Sequence, residues 1–275
     1  MHYSEAPPTP PLRPFVRCVW HLRSDAGDSE EERIVPDGCA ELIVNRGDAF
    51  RRLDGSNGSH RQAQVLLVGQ LRAPIWIVPT GRIDLLGIRF QPGGLHALTG
   101  VPMHEITGED FCVGQLDERL RARFAAAGEL PEESSRVRAV ETVLAEELLS
   151  RDARPGLIAR AVADIERGVR TSDGLSRSVG IHRRALERSF RTEIGLTPKQ
   201  LIRIHRLQSV LAHLDECRRA PDWASLAAAH GYVDQSHLIR DFKQLAGTTP
   251  ARHLASRTDL ATCFEGLSHS SNTES

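Results

Sequence analysis

The chain has 275 residues, room for two domains, an ordinary 40% hydrophobic content, and no apolar run near the roughly 20 residues that span a bilayer. Its five cysteines, Cys18, Cys39, Cys112, Cys217 and Cys263, are odd in number and scattered, without a Cys-x-x-Cys pair. That argues against a disulfide frame or zinc site and for reduced thiols in a cytoplasm. The net charge of −1 hides an asymmetry: residues 155–257 carry 17 Lys+Arg against 10 Asp+Glu, whereas residues 1–154 carry 18 against 23. A basic block in a near-neutral chain is the electrostatic footprint of a nucleic-acid-binding domain, although a solvated face can carry the same charge.

In chain order, residues 1–11 are Pro-rich and read as a loose tail, without the basic start and apolar stretch of a signal peptide. Residues 12–112 read as a β-rich domain, in which Phe15 to Phe90 follow a mostly period-two pattern of β-formers: "VRCVWHLR", "AELIVN", "QVLLVGQ", "IWIVPT" and "RIDLLGIRF". Turn signals at Pro36-Asp37-Gly38, Asn45-Arg46-Gly47-Asp48, Asp54-Gly55 and Asn57-Gly58 separate them, so the expectation is an antiparallel sandwich or small barrel. "LHALTG" reads as a short helix, and residues 113–154 as a helical linker with Val140, Val143, Leu144 and Leu148 on one face. Arg154-Pro155-Gly156 marks a boundary; residues 155–257 read as all-helical and residues 258–275 as a polar tail. The fold class expected is therefore α+β, a β-barrel domain followed by an all-α domain.

The second half contains a duplication. "FRTEIGLTP" begins at Phe190 and "FKQLAGTTP" at Phe242, 52 residues later. Each copy places a small-residue helix ("LSRSVG", "LAAAHG") before a glycine turn and a second helix ("IHRRALERSFR", "YVDQSHLIRDFK"). This is the helix-turn-helix pattern, whose second helix enters the DNA major groove. Leu186 and Phe190, about one turn apart, share a buried face and leave Arg184, Arg188 and Arg191 outward; Leu238 and Phe242 do the same opposite Ser236, Arg240 and Lys243. Thr197-Pro198 starts a helix with the apolar stripe Leu201, Ile204, Leu207, Val210, Leu211 and Leu214, long enough to bridge the two copies.

The string "GYVDQSHLIRDFKQLAGTTP", with its echo upstream, resembles the DNA-binding domain of AraC/XylS-family transcription regulators over residues 157–257. Ser176 and Trp223 depart from that pattern, at positions where the family ordinarily has alanine and an aliphatic residue, and Gly174 beside the first helix of the first copy makes that helix less stable. The resemblance implies double-stranded DNA as partner, no cofactor and no catalysis, in a cytoplasmic protein. Base reading falls to Arg183, Arg184, Glu187 and Arg188 in the first copy and to Gln235, Ser236, His237 and Arg240 in the second, with Arg191 and Lys243 beside them. Glu187 has a second role open to it, pairing with Arg183 or Arg191.

"RIVPDGCAELIV", "LVGQL" and "LGIRFQPGG" resemble a cupin-like domain of unknown function found ahead of such DNA-binding domains, which implies a sensing role. No His-x-His occurs, and the isolated His21, His60 and His96 read as structural rather than as metal ligands. Trp20, Asp37, Glu41, Trp76 and Arg89 are candidates to line a pocket for an unknown small-molecule effector. The competing account is that Pro36-Asp37-Gly38 makes a turn and Arg89 pairs with a carboxylate to close the barrel. Cys39 as a redox switch has no neighbouring charge in the sequence to support it. RNA polymerase and a second copy of the chain stay open as further partners. Two other classes compete: a DNA-targeted enzyme with a cupin-like catalytic domain, and a protein-docking module built from helix pairs.

Overall fold

The computed structural model describes residues 1–25, 31–54, 58–154, 156–217 and 221–255. Gly55 and Asn57 of the expected turns, Pro155 at the boundary, Cys263 and the tail 258–275 lie outside them. Two antiparallel sheets form the first domain. The larger runs in the order β1 (His2–Ala6), β2 (Val16–Ser24), β9 (Ile83–Phe90), β4 (Glu41–Asn45), β7 (Val65–Val68), β10 (Asp110–Cys112). The smaller runs β3 (Glu32–Ile34), β8 (Ile75–Val78), β5 (Arg51–Asp54), β6 (Gly58–Arg61). Every residue of β9 is buried, because both of its faces are covered and both of its edges pair, with β2 and β4. Gly87 in β9 sits opposite Trp20, and a Cβ there would come within 2.0 Å of the indole ring. Trp20 fills the space that glycine leaves.

The expected tail at residues 1–11 is instead structured. His2–Ala6 pairs along β2, and Tyr3 packs against the cluster around Trp20 and Leu22. A free edge on β2 and an aromatic residue with an apolar face to meet outweigh the prolines, which start only at Pro7. The expected linker at 113–154 also differs. Its helices α2 (Glu118–Gly128) and α3 (Glu133–Ser150) follow the short α1 (Gly94–Thr99), and they bury Phe124, Val140 and Leu144 in one cluster with Leu42 and Val44 of β4. The apolar stripe noted in the sequence is a packing face, at about 1.5–3 kcal/mol per buried large side chain, so these helices belong to the first domain.

Among the described residues the regular elements of the second domain are all helical: α4 (Leu157–Glu166), α5 (Ser172–Val179), α6 (Arg183–Ser189), α7 (Pro198–Glu216), α8 (Trp223–Ala229), α9 (Gln235–Ala246) and α10 (Pro250–Ala255). A wider turn, Phe190–Ile194, extends α6. Thr197 and Gln200 form a reciprocal capping box with Pro198 in the first turn of α7, a start worth about 1 kcal/mol. At 1.5 Å per residue α7 is about 28 Å long. Leu186, Phe190, Leu238 and Phe242 all join its stripe in one buried cluster. The pairs α5/α6 and α8/α9 therefore share a core and do not hang independently from a rod.

The domains are docked. Val35 lies in the helical core, and Gln208 Nε2 donates to Pro36 O at 2.7 Å. Gly38, with φ of 83°, passes over α7 so closely that a Cβ would meet Leu201 Cδ1 at 3.1 Å.

Candidate functional site

Each helix pair turns on a glycine in the left-handed region, Gly180 and Gly231, both with φ of 72°. Apart from the adjoining backbone, no atom of the described residues lies within 4 Å of a Cβ built at either, so the conformation, not crowding, calls for glycine there. The departures in the first copy have local explanations. Gly174 donates its N–H to the cap Thr171 Oγ1 at 3.0 Å, and a Cβ would crowd that oxygen and Val169. Ser176 donates its hydroxyl to Ile181 O and closes the turn. Trp223 packs half-buried against the shared core.

The outward faces carry the residues expected of them. Arg183, Arg184, Arg188 and Arg191 are exposed around α6, as are Gln235, Ser236, Arg240 and Lys243 along α9. Arg183 Nε donates to Glu187 Oε1 at 3.0 Å, so Glu187 takes the pairing role left open to it. His237 is half-buried: its ring meets Tyr232 edge-on at 5.3 Å and its Nδ1 faces the Val233 N–H. On the inner side of α9, Asp241 accepts from Arg203 of α7 at 2.7 Å and lies 3.7 Å from Arg206, whose guanidinium stacks on Tyr232. This pairing fixes the rotation of α9 about its axis, and with it the direction of Ser236 and Arg240.

A cavity of ≈ 70 Å³ lies inside the first domain between the sheets, walled by apolar groups such as Ile43, Phe50, Leu66 and Ile77. Asp37, Glu41 and Arg89 reach it together, because Glu41 and Arg89 are direct partners in the β4–β9 register. Arg89 Nε donates to Glu41 Oε1 at 2.9 Å, and Asp37 Oδ2 lies 3.4 Å from Arg89 Nη2. Burial pushes the Glu41 carboxyl above its ordinary value, with Arg89 opposing. Burial alone would lower the Arg89 guanidinium, but Glu41 and Asp37 outweigh it and hold it above its usual value. Arg89 Nη1 and Gln208 Oε1, both buried, have no hydrogen-bond partner among the described residues.

Two candidates for that cavity lie elsewhere. Trp20 is buried behind it and donates Nε1 to Glu41 Oε1 at 3.2 Å. Trp76 is 37% exposed on the outer face of β8 and covers Gly247 of the helical domain. Its neighbours Ile75 and Ile77 line the cavity, and alternation along a strand sends the residue between them outward. Cys39 is at the cavity, where burial pushes its thiol up to about 12, the reverse of a redox-sensitive thiolate. The isolated histidines have local partners: His21 with Glu133, His60 with Asp54 and Asp110, and His96 with Val101 O.

Three residues passed over in the sequence stand beside these sites. Gln208 of α7 lines the cavity from the other domain. A polar residue one turn on from Ile204, within an apolar stripe, was the signal. Arg72 and His104 of the first domain lie next to α6, and no sequence pattern marks them.

Residues 175–256 match the family model described as a helix-turn-helix domain. They are an AraC-type helix-turn-helix domain. Such a domain binds DNA, and the chain that carries it is a transcription regulator. Residues 4–111 match a domain of unknown function, DUF6597, whose start at Ser4 agrees with β1 belonging to the fold. No curated protein sequence matches the chain. Among solved structures, a ToxT variant from Vibrio cholerae is similar at 9% identity, covering 87% of this chain and 98% of that one with a TM-score of 0.48. Unsaturated fatty acid-bound ToxT from the same organism is similar at 11% identity, covering 86% and 94% with a TM-score of 0.43. The AraC-like transcriptional activator CuxR gives 16% identity, 77% and 86% coverage and a TM-score of 0.30. Likeness of this depth assigns no residue roles. No described helix is long and apolar enough to cross a membrane.

Proposed function

We propose that the chain is a one-component regulator that reads DNA sequence with α6 and α9 in adjacent major grooves, under the control of a small molecule held in the first domain. One observation carries the DNA reading. Leu186, Phe190, Leu238 and Phe242 lock both second helices into the core around α7, and this leaves Arg184, Arg188, Gln235, Ser236 and Arg240 exposed together. Arginine suits guanine O6/N7 and glutamine suits adenine, whereas contacts to phosphate position the protein without reading sequence. The effector reading is supported by the unpartnered Arg89 Nη1 and Gln208 Oε1 at one apolar cavity, since buried polar groups ordinarily have partners. A molecule there would touch α7 directly through Gln208. The reading places the protein in the cytoplasm with its DNA and requires no cofactor.

The test uses the full chain. Arg184→Ala and Arg240→Ala are each expected to weaken binding to a duplex selected by the wild type by about 1–3 kcal/mol, the worth of a bidentate base contact. Binding to a random duplex should change far less. Equal losses on both duplexes would mean that these arginines touch only phosphates.

A further inference from the structure

The basic surface around α6 does not end with the helical domain. One open groove, ≈ 450 Å³, runs between the outward side chains of α6, including Arg184, Arg188 and Arg191, and His104 of the first domain. A second, ≈ 240 Å³, continues from Arg191 and His104 to Arg72 and the start of α7 at Thr197. We propose that the first domain forms part of the DNA-contacting surface, with Arg72 and His104 holding the phosphate backbone beside the groove that α6 enters. This rests on the DNA-binding reading above and extends it to a domain assigned only to sensing.

Charge supports phosphate as the occupant. The two grooves bring together Arg72, Arg184, Arg188, Arg191 and His104 against one carboxylate, Glu187, which is already paired with Arg183. Among the described residues none of these four arginines has an ion-pair partner, and all four are exposed, as is His104. Glu105, also exposed, follows His104 in the chain but lines neither groove. An α-helix fills a major groove about 12 Å wide, so groups flanking the helix meet the backbone that borders the groove, not base edges. Guanidinium groups suit phosphate oxygens in paired hydrogen bonds.

The placement is fixed. Thr107 Oγ1 lies 2.8 Å from Met103 O and 3.0 Å from Gly195 O, so one hydroxyl proton bridges the tight turn that carries His104 to the turn that ends α6. Gly195 has φ of 91°, and a Cβ there would come within 2.2 Å of Thr107 Oγ1. This close approach sets His104 beside Arg191 without relying on long side chains. In the separate loop that leads into β8, Arg72 shares the second groove with Arg191, while Pro74 and Trp76 cover Gly247 at the end of α9, so Arg72 sits on a segment that touches both helix pairs.

The experiment measures full-chain binding to a random-sequence duplex of about 30 bp by fluorescence anisotropy across a salt series, for wild type, the double variant Arg72→Ala/His104→Ala, Arg72→Glu and Arg72→Lys. One lost phosphate contact lowers the magnitude of the log–log salt slope by about 0.9, which is a roughly five-fold loss of affinity at about 0.15 M salt. The double variant, which removes both proposed contacts, should show at least that loss, to the same extent on random and selected duplexes. Arg72→Glu should lose more affinity than removal of the Arg72 contact alone would, and Arg72→Lys should change little. Unaltered melting midpoints are expected, because both side chains are exposed. An unchanged slope and affinity in the double variant, with Arg184→Ala still impaired on the selected duplex, would overturn this proposal and leave the DNA-binding reading standing. Tighter binding would overturn it in favour of a first domain that shields α6. A wild-type chain that binds no duplex would overturn both.

Discussion

His205 on α7 lies among charges from both domains, Arg17 and Asp37 from the first and Arg170 from the second. Burial, reinforced by the two arginines, lowers its imidazole to about 4. An unperturbed histidine titrates near pH 6.5, so between about 6.5 and 4 the unfolded chain binds a proton here that the folded chain does not. Stability is therefore fully present above pH 6.5, rises with pH across the window, and is lost on acidification from 6.5 towards 4. His21, buried beside Glu133 and Arg136 and also lowered to about 4, acts in the same window with the same sign. The urea midpoint of the full chain should fall across it, and His205→Gln should remove part of that fall, at most about 3 kcal/mol at 1.36 kcal/mol per pKa unit. Parallel pH profiles for the two proteins would show that His205 carries none of it. At this scale the sequence is readable where geometry follows from strand parity. Arg89 was legible as the partner of a carboxylate but not of Glu41 in particular, whereas Trp76, expected at the cavity, lies outward because alternation sends it opposite Ile75 and Ile77. Whether Trp20 lines a cavity or fills the space above Gly87 depends on the β2–β9 register, which pairs residues 67 positions apart in the chain.

Two glycines of the helical domain separate conformation from contact. Gly180 and Gly195 both adopt positive φ, but nothing surrounds a Cβ at Gly180, whereas one at Gly195 would strike Thr107 Oγ1 at 2.2 Å and Met103 O at 2.8 Å. Gly180→Ala should therefore cost only the left-handed strain, about 1–2 kcal/mol. Gly195→Ala should cost that and also part the domains, loosening hydrogen-exchange protection around residues 103–108 as well as in α6. Identical urea losses with unchanged protection at 103–108 would show that Gly195 contributes nothing to docking. The helices themselves were readable because their signals are local: Thr197-Pro198 as a start, the glycine turns, and the four-residue spacing of Leu186 with Phe190 and Leu238 with Phe242. The larger strands were readable from alternation. The short β3, β5, β6 and β10 were not: unlike the equally short but apolar β7 and β8, they have at most one aliphatic residue each, and their stability comes from neighbours distant in sequence. For the same reason α2 and α3 were legible as helices but not as a layer on β4.

At the scale of the whole molecule the duplication has produced two unlike helix pairs on one frame. The first pair has a seven-residue α6 that widens into the turn Phe190–Ile194, while the second has an unbroken twelve-residue α9. The difference begins at the turns, since ten positions separate Gly180 from Phe190 and eleven separate Gly231 from Phe242. The surfaces differ too: α6 opens with Arg183 and Arg184 after His182, whereas α9 opens with Gln235 and Ser236 after Asp234. Positive charge favours guanine and phosphate on the first side, and neutral hydrogen-bonding groups favour other bases on the second. Because α7 and the shared core hold both helices, one chain should select an asymmetric site of two unlike segments about 10 bp apart, one helical turn along the same face of the duplex. If two chains assemble, the same bipartite unit should appear twice. Site selection from random duplexes with the full chain checks this, and footprinting of a selected duplex checks the spacing. A site made of one element and its mirror, with no second kind of segment, would mean that the two helix pairs do not read DNA side by side.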